Sequence, residues 1–215
     1  MVRPNPAVSQ YARGAPYGVA AVSIWASFIV MARFRGRTGL TPWNIAAIGF
    51  GAVGLLLLPY LARRGFALER LGWTGLTAIV FGCGAPMVLL ANAGLLFAPA
   101  AHAGALFPGV TPLIVAILAA VTLREAFTVQ KRIGVALIVI GAAGIVWGTG
   151  GTIGTTHSIG HVLFLAAGLA WACYAVAMRR ARLDGLHAAA IAGVASFQLR
   201  VTSLLGYRPV MPMGQ

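Results

Sequence analysis

The sequence predicts an all-α chain: a polytopic bundle of transmembrane helices in inverted five-helix repeats, the first complete and the second partial, with six to seven helices in all. Three observations predict it: an apolar composition, the spacing of the charges, and an internal echo at one fixed offset. Sixty per cent of the 215 residues are hydrophobic and 9% are charged, and the mean hydropathy is +0.88. A soluble domain carries about 25% charged residues, so this composition suits lipid. Charges bound uncharged runs of 19 residues (Arg13 to Arg33), 25 (Arg37 to Arg63), 53 (Arg70 to Arg124) and 46 (Arg132 to Arg179). A membrane-crossing helix needs roughly 20 mostly apolar residues. The runs therefore hold one, one, two and two spans.

In chain order the predicted helices are 16–32, 43–62, 72–97, 100–123, 131–148 and 160–178. The first is read as a retained helix rather than a signal peptide, since further spans follow and no small-residue cleavage site closes it. Thr41-Pro42 opens the second, where proline at a helix start forfeits no hydrogen bond. Ala98-Pro99 marks a tight turn between the third and fourth. "GTGGTIGTTHSIGH", 148–161, has no lysine and follows no strand, so it reads as a flexible connection rather than a phosphate loop. After Asp184 the next uncharged run has only 15 residues. A seventh helix, 187–206, requires Arg200 to be buried in protein or to reach an interface, because charge at the bilayer centre costs at least a few kcal/mol.

The net charge of +13 does not point to nucleic acid, because the arginines cluster at the ends of apolar runs, as topology signals do. With the N-terminus inside, Arg3, Arg13, Arg63, Arg64, Arg70, Arg124, Lys131, Arg132, Arg179, Arg180 and Arg182 are cytoplasmic. Arg33, Arg35 and Arg37 dissent.

A shift of 146 residues aligns Trp25-Ala26 with Trp171-Ala172, Val30 with Val176, Arg33 with Arg179, and Ile45-Ala46 with Ile191-Ala192. Five helices separate the copies, and five is odd, so the second copy enters the membrane in the opposite sense. Inverted repeats are the architecture of many secondary transporters, whose substrate site lies near the midplane between the halves.

"ALFPGVTPLIVAILAAVTLREAFTVQKRIGVALIVIGAAGIV", 105–146, holds a proline, an aliphatic run, Leu-x-Glu, a short basic turn and a Gly-rich helix. It resembles the fourth and fifth helices of EamA-type members of the drug/metabolite transporter superfamily, with Pro112, Glu125, Gly134 and Gly141 at matching positions. "SIWASF", 23–28, is similar to that family's first helix and "LAWACYAVAMRR", 169–180, to its sixth. The resemblance covers about 16–195. It implies two five-helix repeats and transport of amino acids, other metabolites or drugs. On this basis 1–148 is a first repeat of five helices, 149–159 a Gly/Thr linker, 160–196 the start of a second repeat, and 197–215 a divergent tail. In "AAIGFGAVG", 46–54, Gly49 or Gly51 stands where the family often carries an arginine. A full second repeat should extend to roughly residue 292, so the chain is expected to be truncated in its second repeat.

No enzyme constellation is present. Glu69, Glu125 and Asp184 are the only carboxylates, and acid/base pairs need two converging on one substrate. Cys83 and Cys173 read as packing residues, and His102, His157, His161 and His187 show no metal-ligand pattern, so no metal and no cofactor is expected. Trp25 and Trp171, paired by the repeat, are candidates for lining a substrate cavity, as are Ser27, Asn92, Thr111 and Tyr174. Pro86, Pro108 and Pro112 interrupt the backbone ladder and are candidates for kinks or gating. Pro108 and Pro112, four residues apart, are expected to bend the helix on one face. Glu125 with Arg124 is expected to form a structural ion pair. Gly144 and Gly148 form a small-xxx-small pair that predicts a close helix contact.

The expected function is alternating-access transport of small metabolites or drugs across the cytoplasmic membrane. The expected partners are the lipid bilayer, an unidentified small-molecule substrate and, through homodimerisation or a second half-chain, another copy or subunit. The alternatives are a truncated inactive membrane protein and a half-transporter needing that partner. As an isolated monomer the chain is expected to transport nothing.

Overall fold

The computed structural model describes residues 15–20, 22–23, 26–27, 42–148 and 155–206. The chain divides into two compact units, Met1–Leu40 and Thr41–Gln215. In the first, the described residues are helical, as the run from 16 to 32 predicts, and Ser27 Oγ donates to the Ser23 carbonyl at 2.8 Å.

Among its described residues the second unit holds only helices and the short turns that join them. Its elements are α1 (Pro42–Arg64), α2 (Leu68–Cys83), α3 (Ala85–Phe97), α4 (Ala100–Gly104), a π-helical turn (Ala105–Gly109), α5 (Thr111–Leu123), α6 (Val129–Gly148), α7 (Thr155–Ala181) and α8 (Gly185–Gly206). Among the described residues three stretches are long and apolar enough to cross a membrane: Leu68–Phe97, Ala100–Leu123 and His157–Ala181. Each combines an apolar surface with a buried face that mixes bulky residues such as Ile79, Phe107 and Phe164 with small ones such as Gly82, Ala119 and Ala167. α7 begins at Thr155 and so takes in residues that the sequence assigns to the linker.

Two of the predicted helices are interrupted. The third breaks at Gly84, whose backbone is extended, and Pro86 stands in the first turn of α3. There the missing N–H costs nothing, so Pro86 starts a new helix rather than kinking an old one. The break frees the Ala85 N–H, which Ser196 Oγ on α8 accepts at 2.9 Å. An unsatisfied N–H at membrane depth costs several kcal/mol. A Cβ on Gly84 would sit 2.6 Å from that oxygen, so glycine is needed for the approach. The other interruption is the π turn, which contains Pro108, while Pro112 falls in the first turn of α5. The wider π ring accommodates a residue that has no N–H to donate. The two prolines therefore occupy different elements rather than bending one face.

The seventh helix forms, and α8 packs against α1. The pair runs antiparallel: Tyr60 meets His187, Gly54 approaches Gly193, and Gly51 lies against Phe197. A Cβ on Gly54 would come within 2.9 Å of the Gly193 carbonyl oxygen. α7 is the hub, touching α2, α3, α5 and the π turn, with Phe164, Ala167 and Ala172 fully buried. Small residues make this possible. A Cβ on Gly82 would lie 2.1 Å from the Ala170 carbonyl oxygen, and one on Gly94 would strike the Phe164 ring. At Gly144 an added Cβ meets nothing within 4 Å, so the close contact expected of the Gly144–Gly148 pair is not seen at Gly144.

Candidate functional site

The three membrane-length stretches converge on one cleft of about 170 Å³. α2 contributes Arg70, Leu71, Thr74, Gly75 and Ala78; α5 contributes Leu118 and Thr122; α7 contributes Cys173, Val176, Ala177, Arg180 and Ala181. Arg70 opens its helix and Arg180 closes its own, so two guanidinium groups border the cleft at the bundle end where the basic residues collect. Among the described residues neither arginine has a carboxylate within ion-pairing distance. The wall between them is aliphatic, relieved by the hydroxyls of Thr74 and Thr122, and Thr122 Oγ1 donates to the Leu118 carbonyl at 2.6 Å. Such a site can hold a small molecule with an apolar body and one group that accepts hydrogen bonds from arginine.

Beside it lies an ionic node. Glu125 Oε2 accepts from Lys131 Nζ at 3.0 Å, and Glu125 Oε1 from Arg179 at 3.4 Å. The expected partner, Arg124, is not in this pair. It caps α5 in the left-handed region (φ 54°) with its N–H bonded to the Ala119 carbonyl. That turn carries Glu125 round toward the start of α6 and the end of α7. The hydrogen bond from Lys131, reinforced by the charges of Lys131 and Arg179, holds the Glu125 carboxyl below its ordinary range. A second pocket at the same end is lined by Arg64, Gly65, Glu69, Arg70, Leu183 and His187 among others. Its His187 Nε2 is 2.9 Å from the Gly65 carbonyl oxygen.

Of the six residues predicted to line a cavity, the four in the second unit, Asn92, Thr111, Trp171 and Tyr174, do not line the cleft. Trp25 lies outside the described residues, and Ser27 belongs to the first unit. Asn92 is buried in α3. Thr111 is buried with its hydroxyl on the Phe107 carbonyl, and it faces Gly168 of α7, where a Cβ would be 3.1 Å from Oγ1. It is a helix-contact residue. Trp171 and Tyr174 stack edge to face, with ring centroids 5.2 Å apart, and Tyr174 hydrogen-bonds Cys83 across the α2–α7 interface. The sequence reading passed over the cleft residues Arg70, Thr74, Thr122 and Arg180. The signal available was that each stands within about two turns of the arginine-bearing end of a predicted span.

Long apolar helices packed round a cleft at one end of the bundle define a multi-pass membrane protein. Residues 12–147 match the model of the EamA-like transporter family, more than half of the chain, and the protein belongs to that family. No curated protein and no solved structure matches the chain.

Proposed function

We propose that the protein is a secondary transporter that moves a small organic molecule across the cytoplasmic membrane by alternating access, with its N-terminus in the cytoplasm. The observation that carries this is the convergence of Leu68–Phe97, Ala100–Leu123 and His157–Ala181 on one cleft. In a helical bundle, a substrate site between spans is where helices can part and close. The arginines at the mouth favour a substrate with an anionic or strongly accepting group. Their clustering at one end also follows the positive-inside bias that orients the chain.

The antiparallel α1–α8 pair supports the inverted-repeat reading. Gly51 and Phe197 are 146 positions apart, the offset that aligns Trp25 with Trp171, and a Cβ on Gly51 would stand 3.5 Å from the Phe197 ring. A residue that meets its own counterpart sits on the axis relating two copies. Two equivalent helices crossing there in opposite senses are what an inverted repeat requires.

The experiment is flux into proteoliposomes containing the purified chain at a density at which copies can associate, with labelled amino acids and small carboxylates as the panel. The expected result is uptake of a carboxylate-bearing solute that falls at least several-fold in Arg70→Gln and Arg180→Gln. Uptake unaffected by both substitutions would remove the cleft from the pathway, and absence of uptake across the panel would count against transport by this chain.

A further inference from the structure

At the end of the bundle away from the arginines, three histidines gather. His102 is buried in α4, and His157 and His161 stand one turn apart at the start of α7. His102 Nδ1 and His161 Nε2 are 2.9 Å apart, with ring centroids at 5.0 Å. The His157 ring lies edge-on to His102, 6.2 Å away. Arg70 stands at the start of the stretch Leu68–Phe97, and this cluster lies beyond the stretch's other end. The elements packed around the pair are α3, the π turn and the first turns of α7. Neither α3 nor the π turn carries Asp, Glu, Lys, Arg or His, nor does α5 beyond them, and residues 149–154 carry none. α6 also reaches the π turn, but its charged residues, Lys131 and Arg132, stand at its opposite, N-terminal end. His157 is thus the one other titratable group facing the pair among the described residues.

The contact constrains the protons. An imidazole–imidazole hydrogen bond needs an N–H on one ring and a lone pair on the other. With both rings neutral, one donates and the other accepts. An added proton goes to the outer nitrogen of the donating ring, which makes that ring a cation and its hydrogen bond charge-assisted. A second added proton puts N–H against N–H at 2.9 Å, with two positive charges and no acceptor between them, and the contact cannot survive. We propose that His102 and His161 form a proton-binding site tying α4 to the start of α7, which one proton strengthens and a second opens. The ligand is the proton itself, and its occupancy is linked to the packing of two helices at one membrane face. The site does not depend on the transport reading and is tested without a substrate.

The test is ¹⁵N NMR of the full chain in lipid nanodiscs with labelled histidine, followed through a pH titration. The His102 and His161 resonances are expected to change together, in two steps, as pH falls. A ¹⁵N–¹⁵N coupling across the hydrogen bond should be present before the second step and lost after it. In His157→Gln both steps should persist, whereas in His102→Gln the His161 ring should titrate in a single step. Independent single-step curves for both rings in the unsubstituted protein would overturn the proposal without any variant. So would an unchanged His161 curve in a His102→Gln protein that retains its helix content.

Discussion

Helices α6 and α7 are both long and apolar, yet among the described residues α7 is wrapped in protein and α6 lies open. On α7, Phe164, Ala167 and Ala172 are sealed from any solvent. On α6, Val129, Ile133, Leu137 and Ile140 form an exposed stripe, each more than half accessible. Glycine content does not separate the two. Gly134, Gly141 and Gly144 of α6 face open space, whereas Gly82, Gly94, Gly160 and Thr111 with Gly168 are where other helices press on α7. Hydropathy says that a helix can live in lipid; only the placement of its small residues against a neighbour says that it is buried by protein. Glu125 spans the divide, with one oxygen on Lys131 of α6 and the other on Arg179 of α7.

The contrast can be broken most directly at Phe164. Phe164→Ala should cost about 3–5 kcal/mol, the usual toll of a large buried aromatic, while Leu137→Ala on α6 should stay within about 0.5 kcal/mol. Equal losses in reversible unfolding in detergent would show that α6 is packed as tightly as α7. Next comes Gly82→Ala, whose new methyl would meet the Ala170 backbone rather than a yielding side chain; about 1–3 kcal/mol is expected for such overpacking. Gly141→Ala, with nothing within 4 Å, should be neutral or stabilise by about 0.5–1 kcal/mol through helix propensity. A destabilised Gly141→Ala would mean that α6 has a neighbour there.

Ser196→Ala tests the polar side of the buried set by leaving the Ala85 N–H without its acceptor, a loss of about 1–3 kcal/mol. Its signature is faster amide exchange at Ala85, and unchanged exchange there would deny the cap. The smallest effect belongs to the bridge between the two helices. Because the folded Glu125 carboxyl titrates below its ordinary range, its contribution is present at neutral pH, persists down to the unfolded value near 4.3, and disappears as pH falls through the folded value. The unsubstituted protein should therefore melt slightly higher than Glu125→Gln at pH 7, with the gap closing on acidification and in high salt. A gap that widens in acid would reverse the assignment.

Much of the helical plan was legible because charges punctuate it: Arg63-Arg64, Arg124 and Arg179-Arg180 lie at the ends of stretches the structure makes helical. Less legible was what happens inside a span. Pro86 drew attention to the third predicted helix, but the break is at Gly84, where backbone approach to Ser196 decides the geometry. Pro108 pointed to a disturbance without revealing that it would be a widened turn. Partners distant in sequence were out of reach altogether: Glu125 finds Arg179, 54 residues on, rather than its neighbour Arg124. The cleft was missed for the same reason. Arg70 and Arg180 read individually as topology signals, and only the side-by-side packing of α2 and α7 makes them one mouth.

The π turn at Ala105–Gly109 has a mechanical meaning for the span it interrupts. It holds one more residue in its ring than an α-turn does, so the span from Ala100 to Leu123 carries a residue of slack. One residue of helix corresponds to about 100° of rotation, so the face that α5 turns to the cleft, with Leu118 and Thr122, is set in part by this turn. At Ala105–Gly109, where the turn contains Pro108, the rod is thus already one residue out of step with a regular α-helix.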